Sequence, residues 1–520
     1  MGQFNGISTD EKSNSYYDVP FKITPKIIII VLLLCFAFLI FEAVIFNNTW
    51  DDAYISYRYA KNFAENSGLV FNVGEYVEGY TTFLWVFILG LLAKLGFDIP
   101  SIGKILCVLF GLGTVMITYL IGRKLDKKYS AAAVLAALLL TFRIDYGVHF
   151  QSGMETSFHV FMLSLAFYSY MKRYKYSFLV TGFLAALLPL IHPEGILFAV
   201  AIIINELLQV KNGNLKKQLK NILVFILPII VILLTHLLWR YSYYGDLLPN
   251  TFYTKTPGFD IIKYIRGGWY LLKFFIYGGG ILYFIPAIYF MYCYFKNSCI
   301  RTLVIIILLY SIFNVYASGD WAPYSRFYMP VVPFIAIASA FGILKLLTML
   351  KAGKLVSILV ISAFVFAGYQ HGVLTKAYPT EFIFKHRKQI NDWKALCEHF
   401  RHLKEQRPNL VIASNPIGAI GYYSEAHIID MLGLTNKHIA KEGKRIKGAP
   451  GHERWDIEYV LNLKPDIIYA CRAILLPDGR YKPSLGEHTS RESYQRIWDE
   501  YERRYIPYVG EYWIRKDIGL

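Results

Sequence analysis

The sequence predicts an all-α polytopic membrane body of about eleven transmembrane helices plus interfacial helices, followed by a small C-terminal α/β domain. Three observations carry this. Of 520 residues, 55% are hydrophobic and only 18% are charged, against about 25% charged in an ordinary soluble domain. The apolar residues come in blocks of span length rather than evenly. Beyond about residue 368 the composition turns charged, and short strand-like runs such as 409–414 (NLVIAS) and 465–469 (PDIIY) alternate with helical stretches. That is enough chain for a small domain with its own core.

The candidate spans are 27–46, 102–121, 130–146, 156–171, 177–191, 196–210, 222–239, 269–295, 303–316, 327–347 and 355–368. The first has span length and lacks a small-residue cleavage site, so it reads as a retained anchor. Segment 81–97 is also apolar. Placed in the interface instead of across the bilayer, it puts every basic loop on one side: 123–128, 172–175, 211–220, 296–301, 345–354 and the N-terminal tail, 1–26. By the positive-inside rule that side is cytoplasmic, in a cell (inner) membrane. The helical domain is then 27–368, with a first outer loop at 47–101 and an extracytoplasmic domain at 369–520. The polar motifs all share the outer face. The net charge of +17 belongs to the basic loops. No soluble stretch interleaves Lys/Arg with stacking aromatics, so nucleic acid is set aside as a partner. The six cysteines form no CxxC or metal spacing, and only Cys397 and Cys471 lie in the soluble-looking region.

The first outer loop carries Trp50-Asp51-Asp52, then Arg58 and Tyr59. Adjacent carboxylates beside a span repel, so one pKa rises or a cation binds, and either outcome suits a general base. Asp is equally a good helix cap, and the residues alone leave both readings open. Glu78 and Tyr80 precede the interfacial segment. Glu155 ends a polar loop at 145–155, and His192-Pro193-Glu194 interrupts an apolar hairpin. Ionisable groups at such depth usually serve a partner or a site. A lone His192 is more often structural than a ligand, and Pro193 by itself marks a helix break. Loop 240–255, with Tyr244, Asn250 and Lys255, and loop 319–327, with Asp320, Trp321 and Arg326, offer cations beside aromatic rings. Those suit a lipid phosphate and sugar faces, although an aromatic belt with snorkelling cations has similar composition. No phosphate-loop or nucleotide fingerprint is present.

These residues resemble a known family. Asp51–Tyr59, Gly68–Asn72, Val77–Thr81, Ser152–Thr156, Pro193–Gly195, Tyr243–Gly245 with Leu248–Thr251, and Gly319–Trp321 with Arg326-Phe327 look like membrane glycosyltransferases of the GT-C class. Within it the likeness is to the group around the mycobacterial terminal arabinofuranosyltransferase. Gly418–Ile420, Asp430–Thr435 and Pro450–Glu453 resemble that group's outer domain. The sequence departs at His192, where relatives tend to have Arg, and at Tyr54, where Phe is common.

The resemblance implies a GT-C-like fold and an inverting sugar transfer from a polyprenyl-phosphate donor. The acceptor would be a cell-envelope glycan, glycolipid or protein on the outer face. It makes Asp51 the catalytic acid with Asp52 beside it, and admits a divalent cation at that pair. Arg58, Lys255 and Arg326 would hold the lipid phosphate. Tyr59, Glu78, Tyr80, Glu155, His192, Glu194, Tyr244, Asn250, Asp320 and Trp321 would line the sugar. Rival readings are a lipid-linked sugar flippase or exporter, which would string ionisable groups through mid-span to both faces, and a non-catalytic scaffold.

Overall fold

The computed structural model describes residues 23–518 apart from 127–129, 211–213, 256–260, 278–279, 375–379, 447–450, 452, 471–472, 477–480, 486–487 and 508–509. Cys471, Pro450 and His452 lie outside the described residues.

The helical body runs α1 Pro25–Phe46, α2 Asp51–Ala64, α3 Phe83–Lys94, α4 Ile99–Leu125, α5 Ala131–Thr141, α6 Ile144–His149, α7 Thr156–Lys172, α8 Ser177–Ile191, α9 Ile196–Leu207, α10 Leu215–Tyr244, α11 Asn250–Lys255, α12 Ile261–Tyr277, α13 Gly280–Cys293, α14 Ser298–Tyr316, α15 Val332–Met349 and α16 Lys354–Leu374. Among the described residues, five helices have the length and apolarity to cross a bilayer alone: α1, α4, α10, α14, and α15 with the 3-10 turn that precedes it. Burial grades them. The α15 span is 83% buried and forms the central post, whereas the α1 and α10 spans are only 22% buried. Leu33, Leu34, Phe41 and Val44 on α1, and Leu223, Leu227 and Ile230 on α10, point outward. Apolar surface on that scale suits lipid rather than water.

The expected spans differ from the helices in three places. Residues 130–146 form two helices, α5 and α6, because Arg143 turns extended (φ −94°, ψ 117°) at the N-cap of α6. Across the expected 269–295 the described helices are α12, which begins earlier at Ile261, and α13 from Gly280. The last helix of the body, α16, continues past 368 to Leu374. Segment 81–97 yields α3, whose 12 residues rise about 18 Å, short of the roughly 30 Å of hydrocarbon.

One end of the bundle carries α2, α6, the α8–α9 hairpin, α11 and the C-terminal domain. At the other end, the C-terminal ends of α7 and α9 meet the start of α14: Arg173 pairs with Glu206 at 2.7 Å, Asn205 donates to Ser298 at 3.0 Å, and Arg301 donates to Asn205 at 2.8 Å. Two of the basic loops, 172–175 and 296–301, therefore meet at this end.

The C-terminal domain opens with α17 Thr380–Gln406 and continues β1 Val411–Ser414, α18 Gly418–Ser424, β2 His427–Asp430, α19 Lys437–Glu442, β3 Lys444–Arg445, β4 Arg454–Trp455, α20 Ile457–Asn462, β5 Ile467–Tyr469, β6 Ala473–Leu475, β7 Tyr481–Pro483, α21 Arg491–Glu500, β8 Tyr501–Ile506 and β9 Gly510–Arg515. Its main sheet has the order β2-β1-β5-β9-β8, with β1 parallel to β2 and β5, and β9 antiparallel to β5 and β8. The period-2 pleat sends Ile412, Ile467 and Ile514 toward Leu396 and Phe400 of α17, in a core continuous with the helical body. Ala413, Ile468 and Trp513 face the opposite way, onto Val460 and Leu461 of α20 and Ile497 of α21.

A close approach of two helices tests the packing. A Cβ on Gly342 of α15 would overlap the main-chain carbonyl of Pro286 on α13. Gly342→Leu is expected to lower stability by about 1–3 kcal/mol, read as the melting temperature of the detergent-solubilised protein. An unchanged melting temperature would mean the two helices do not meet there.

Candidate functional site

The site is built where α2 begins. Trp50 is its N-cap, in extended backbone, and Asp51 and Asp52 occupy the first turn, where carboxylates favour the positive end of a helix. Trp50 is fully buried. Its ring lies against His386 of α17 (4.7 Å) and edge-on to Trp321 (5.8 Å). This floor aims both carboxylates toward the C-terminal domain and the 319–327 loop.

Asp51 accepts from the Ala419 N–H at 2.7 Å and the Gly418 N–H at 3.2 Å, both at the start of α18. Burial pushes its carboxyl up to about 7. The two amides oppose that rise and the neighbouring Asp52 charge adds to it. Asp52 accepts from the Trp321 indole at 3.2 Å and lies 3.9 Å from Arg326. Arg326 grips Asp320 through two hydrogen bonds, of 2.6 and 3.0 Å, and rests on the Met154 sulfur at 3.0 Å. Glu155 is buried; burial pushes its pKa up, against the pull of His192 and Arg326. His192 hydrogen-bonds Glu194, whose other oxygen lies 3.9 Å from His159. Burial alone would raise Glu194, but the adjacent imidazole outweighs it and holds the carboxyl low. Asp51, Asp52, Glu155, His192, Glu194, Asp320, Trp321 and Arg326 thus form one polar cluster.

The other expected residues form a second group along the same helix. Tyr59 is eight residues beyond Asp51, about 12 Å along the axis. It donates to the Val77 carbonyl (2.7 Å) and accepts from the Gly79 N–H (2.8 Å). Glu78 pairs with Arg240 at 2.6 Å, and burial raises it to about 7 despite that cation. Tyr80 and Tyr244 share a hydroxyl contact of 3.0 Å, and Tyr244 also donates to the Leu69 carbonyl. The Asn250 amide donates to the carbonyls of Gly433 (2.8 Å), Leu434 (3.0 Å) and Asn436 (3.3 Å). This second group holds loops together. Lys255 is exposed at the end of α11, against Gly451.

Arg58 corrects the sequence reading. Its guanidinium donates to the carbonyls of Phe71 (2.6 Å), Gly421 (2.5 Å) and Ala426 (2.6 Å) and to Asn72 Oδ1 (3.2 Å). It is buried and engaged on every edge, so it ties α2 to the C-terminal domain and is not presented to a phosphate. Sequence reasoning also missed the Gly418 and Ala419 amides, which side-chain chemistry does not encode, and His386. It missed Lys263 and Arg266 of α12 as well. They converge on Glu453 at 2.7 and 2.9 Å, and Arg266 donates to Ser318, two residues before Asp320. Their i,i+3 spacing was the available signal.

The expected divalent cation meets no ready-made ligand set at the carboxylate pair among the described residues, although the Archaeoglobus fulgidus oligosaccharyltransferase, whose fold is similar, was solved in complex with Zn and sulfate. Both Asp51 oxygens face N–H donors, and Asp52 faces an indole N–H and a guanidinium. Among the described residues no three His, Cys, Asp or Glu converge as a metal would need.

A domain of unknown function, DUF8728, matches residues 384–514. No curated protein matches the sequence. Solved structures do share the fold. The Archaeoglobus fulgidus oligosaccharyltransferase in its apo form aligns with TM-score 0.58 at 12% identity, over 93% of this chain and 80% of that one. The same enzyme (AglB) with an inhibitory peptide and a dolichol-phosphate gives 0.55 at 11%, over 92% and 79%. ArnT from Cupriavidus metallidurans bound to undecaprenyl phosphate gives 0.57 at 9%, over 94% and 98%. The GT-C-like fold expected from the sequence is therefore the fold observed.

Removing Arg58 leaves three buried carbonyls without their donor. Arg58→Ala is expected to cost about 3 kcal/mol or more and to expose the C-terminal domain to limited proteolysis. Arg58→Lys should restore little of this, since one ammonium does not span four acceptors.

Proposed function

We propose that this protein is a membrane glycosyltransferase that moves a sugar from a polyprenyl-phosphate donor to an envelope glycan, glycolipid or protein on the outer membrane face. Asp51 is the base. The observation that carries the reading is Asp51 itself. It is a carboxylate lifted to about 7 by burial, in the first turn of a helix at one end of an apolar bundle, with Arg326, Asp52 and Trp321 on one side and the C-terminal domain on the other.

In the reaction the acceptor hydroxyl oxygen attacks the anomeric carbon, its proton passes to Asp51, and the carbon–oxygen bond to the lipid phosphate breaks. The departing polyprenyl phosphate carries the bonding electrons. Arg326 supplies the nearest positive charge, with Lys255, Lys263 and Arg266 as further cations for the phosphate. Glu155, Glu194 and Asp320 orient sugar hydroxyls, and Trp321 offers a flat apolar face. No step runs through a metal. The fold is one that AglB and ArnT share, and those structures hold dolichol-phosphate and undecaprenyl phosphate. Transfer of an arabinofuranosyl or another pentose or hexose group is the finer form of the reading.

An apolar cleft of about 530 Å³ opens between α2, α3, α8 and α10, lined by Phe63, Leu69, Phe83, Phe87, Ile232 and Trp239 among others. Its walls suit an isoprenoid chain entering from the lipid side.

Asp51→Asn is expected to lower kcat for transfer about 10²–10⁴-fold in protein that expresses and folds normally; retained full activity would sink the assignment. A base must be unprotonated to act, so kcat/KM should rise with pH through about 7 and plateau above it; a flat profile from pH 5.5 to 8.5 contradicts an Asp51 base. Filling the cleft with Ile232→Trp should raise KM for long-chain donors about tenfold, the equivalent of roughly 50 Å² of lost apolar burial. Donors with a single isoprene unit should be unaffected.

A further inference from the structure

We propose that Gly418 and Ala419 are positioning residues for Asp51, so that the reacting centre is complete only with the C-terminal domain docked. The proposal rests on the reading of Asp51 as base and goes beyond it by giving the C-terminal domain a part in the chemistry.

Each Asp51 oxygen accepts one N–H from α18: Oδ1 from Ala419 at 2.7 Å and Oδ2 from Gly418 at 3.2 Å. Two bonds on two oxygens fix both the rotation and the tilt of a carboxylate, which one bond does not. Without them, a first-turn Asp turns toward the unpaired N–H groups of its own helix or into water. The approach is close. A Cβ on Gly418 would overlap the Asp51 main-chain carbonyl and lie 2.7 Å from Oδ1, so only glycine lets α18 reach this position.

Four residues of the first outer loop, through six further contacts, dock α18 and the strand after it. Arg58 binds the carbonyls of Gly421 and Ala426. Lys61 pairs with Glu425 at 2.5 Å, and Tyr423 donates to Tyr54 at 3.3 Å. Asn72 exchanges two hydrogen bonds with Ile428, of 2.9 and 3.0 Å. The hold on Asp51 is thus one end of a rigid seam, and only its last two amides reach the carboxylate.

The test uses full-length protein in detergent or nanodiscs, with a polyprenyl-phosphate sugar that the wild type turns over. Ala419→Pro deletes the 2.7 Å donor at a first-turn position, where proline is compatible with a helix. Gly418→Ala pushes α18 off the carboxylate. Ala419→Pro should lower kcat about 30–100-fold with KM for the donor within twofold and the melting temperature unchanged; Gly418→Ala should lower kcat per folded molecule as far and, by its overlap with the Asp51 main chain, the melting temperature as well. Lys385→Met, which removes an exposed ion pair with Glu381 on α17, should leave kcat and KM as they were. If Ala419→Pro folds and keeps kcat within threefold of wild type, the positioning role is overturned. It is equally overturned if activity falls only in proportion to the folded fraction, since that marks a purely structural seam. Failure of the parent reading looks different: the wild type transfers nothing from any lipid-linked donor, or Asp51→Asn stays active.

Discussion

The structure depends on how α2 is held. Its first turn carries the carboxylates, and its third sends Arg58 into a pocket of oxygens from the first outer loop and the C-terminal domain. A buried guanidinium without acceptors is costly, so the cation and the carbonyls need each other. Satisfying Arg58 draws 68–80 and 418–428 onto one helix. Once they are there, the amides of α18 reach Asp51 and the Trp321 indole meets Asp52. A helix at the edge of a membrane bundle becomes the meeting point of three distant parts of the chain.

Charge around that point is uneven. Asp51, Asp52, Glu155, Glu194 and Asp320 face chiefly Arg326 and His192. The low dielectric that makes unpaired carboxylates expensive is relieved by protonation, by hydrogen bonds or by pairing, and the site uses all three. Glu194 is paired with His192. Asp320 is clamped by Arg326. Asp51 takes amide hydrogen bonds and still has its proton affinity raised toward neutrality, which is the condition for a base that both takes and releases a proton near pH 7. The same acidity makes Arg326 a poor sole partner for a phosphate. That gives weight to Lys263 and Arg266, whose present partner, Glu453, has the carboxylate chemistry that an incoming phosphate would replace.

Much of this was legible in the sequence, and the reasons differ by feature. Helices α7 and α8 follow the expected 156–171 and 177–191 nearly residue for residue, because apolar composition and span length decide them together. The strands at 411–414 and 467–469 were visible as β-branched runs bounded by turn residues. At the site, a residue's type predicted its place when its chemistry was costly to bury without a purpose, as with Asp320 or Glu194. Arg58 shows the limit. Its type suits a phosphate and a set of carbonyls equally, and only the fold determines which it meets. The Gly418 and Ala419 amides lay beyond side-chain reasoning altogether.

The interior of the bundle bears on the choice between a transferase and a transporter of lipid-linked sugars. A transport path needs ionisable or polar groups strung from one face to the other, free to bind and release cargo. The buried charges here are arranged otherwise. Arg143 closes on Asp145, two residues away, by two hydrogen bonds. Glu42 lies against Gly147, where a side chain would not fit beside it. Tyr170, Arg173, Asn205 and Glu206 satisfy one another at the opposite end. From the Asp51 cluster toward the Glu206 group runs α15, its span 83% buried and packed with Val332, Phe334, Ile337 and Phe341. The buried charges are closed on one another at the two ends and that post is apolar, so chemistry at one face accounts for the placement of charge better than passage between faces.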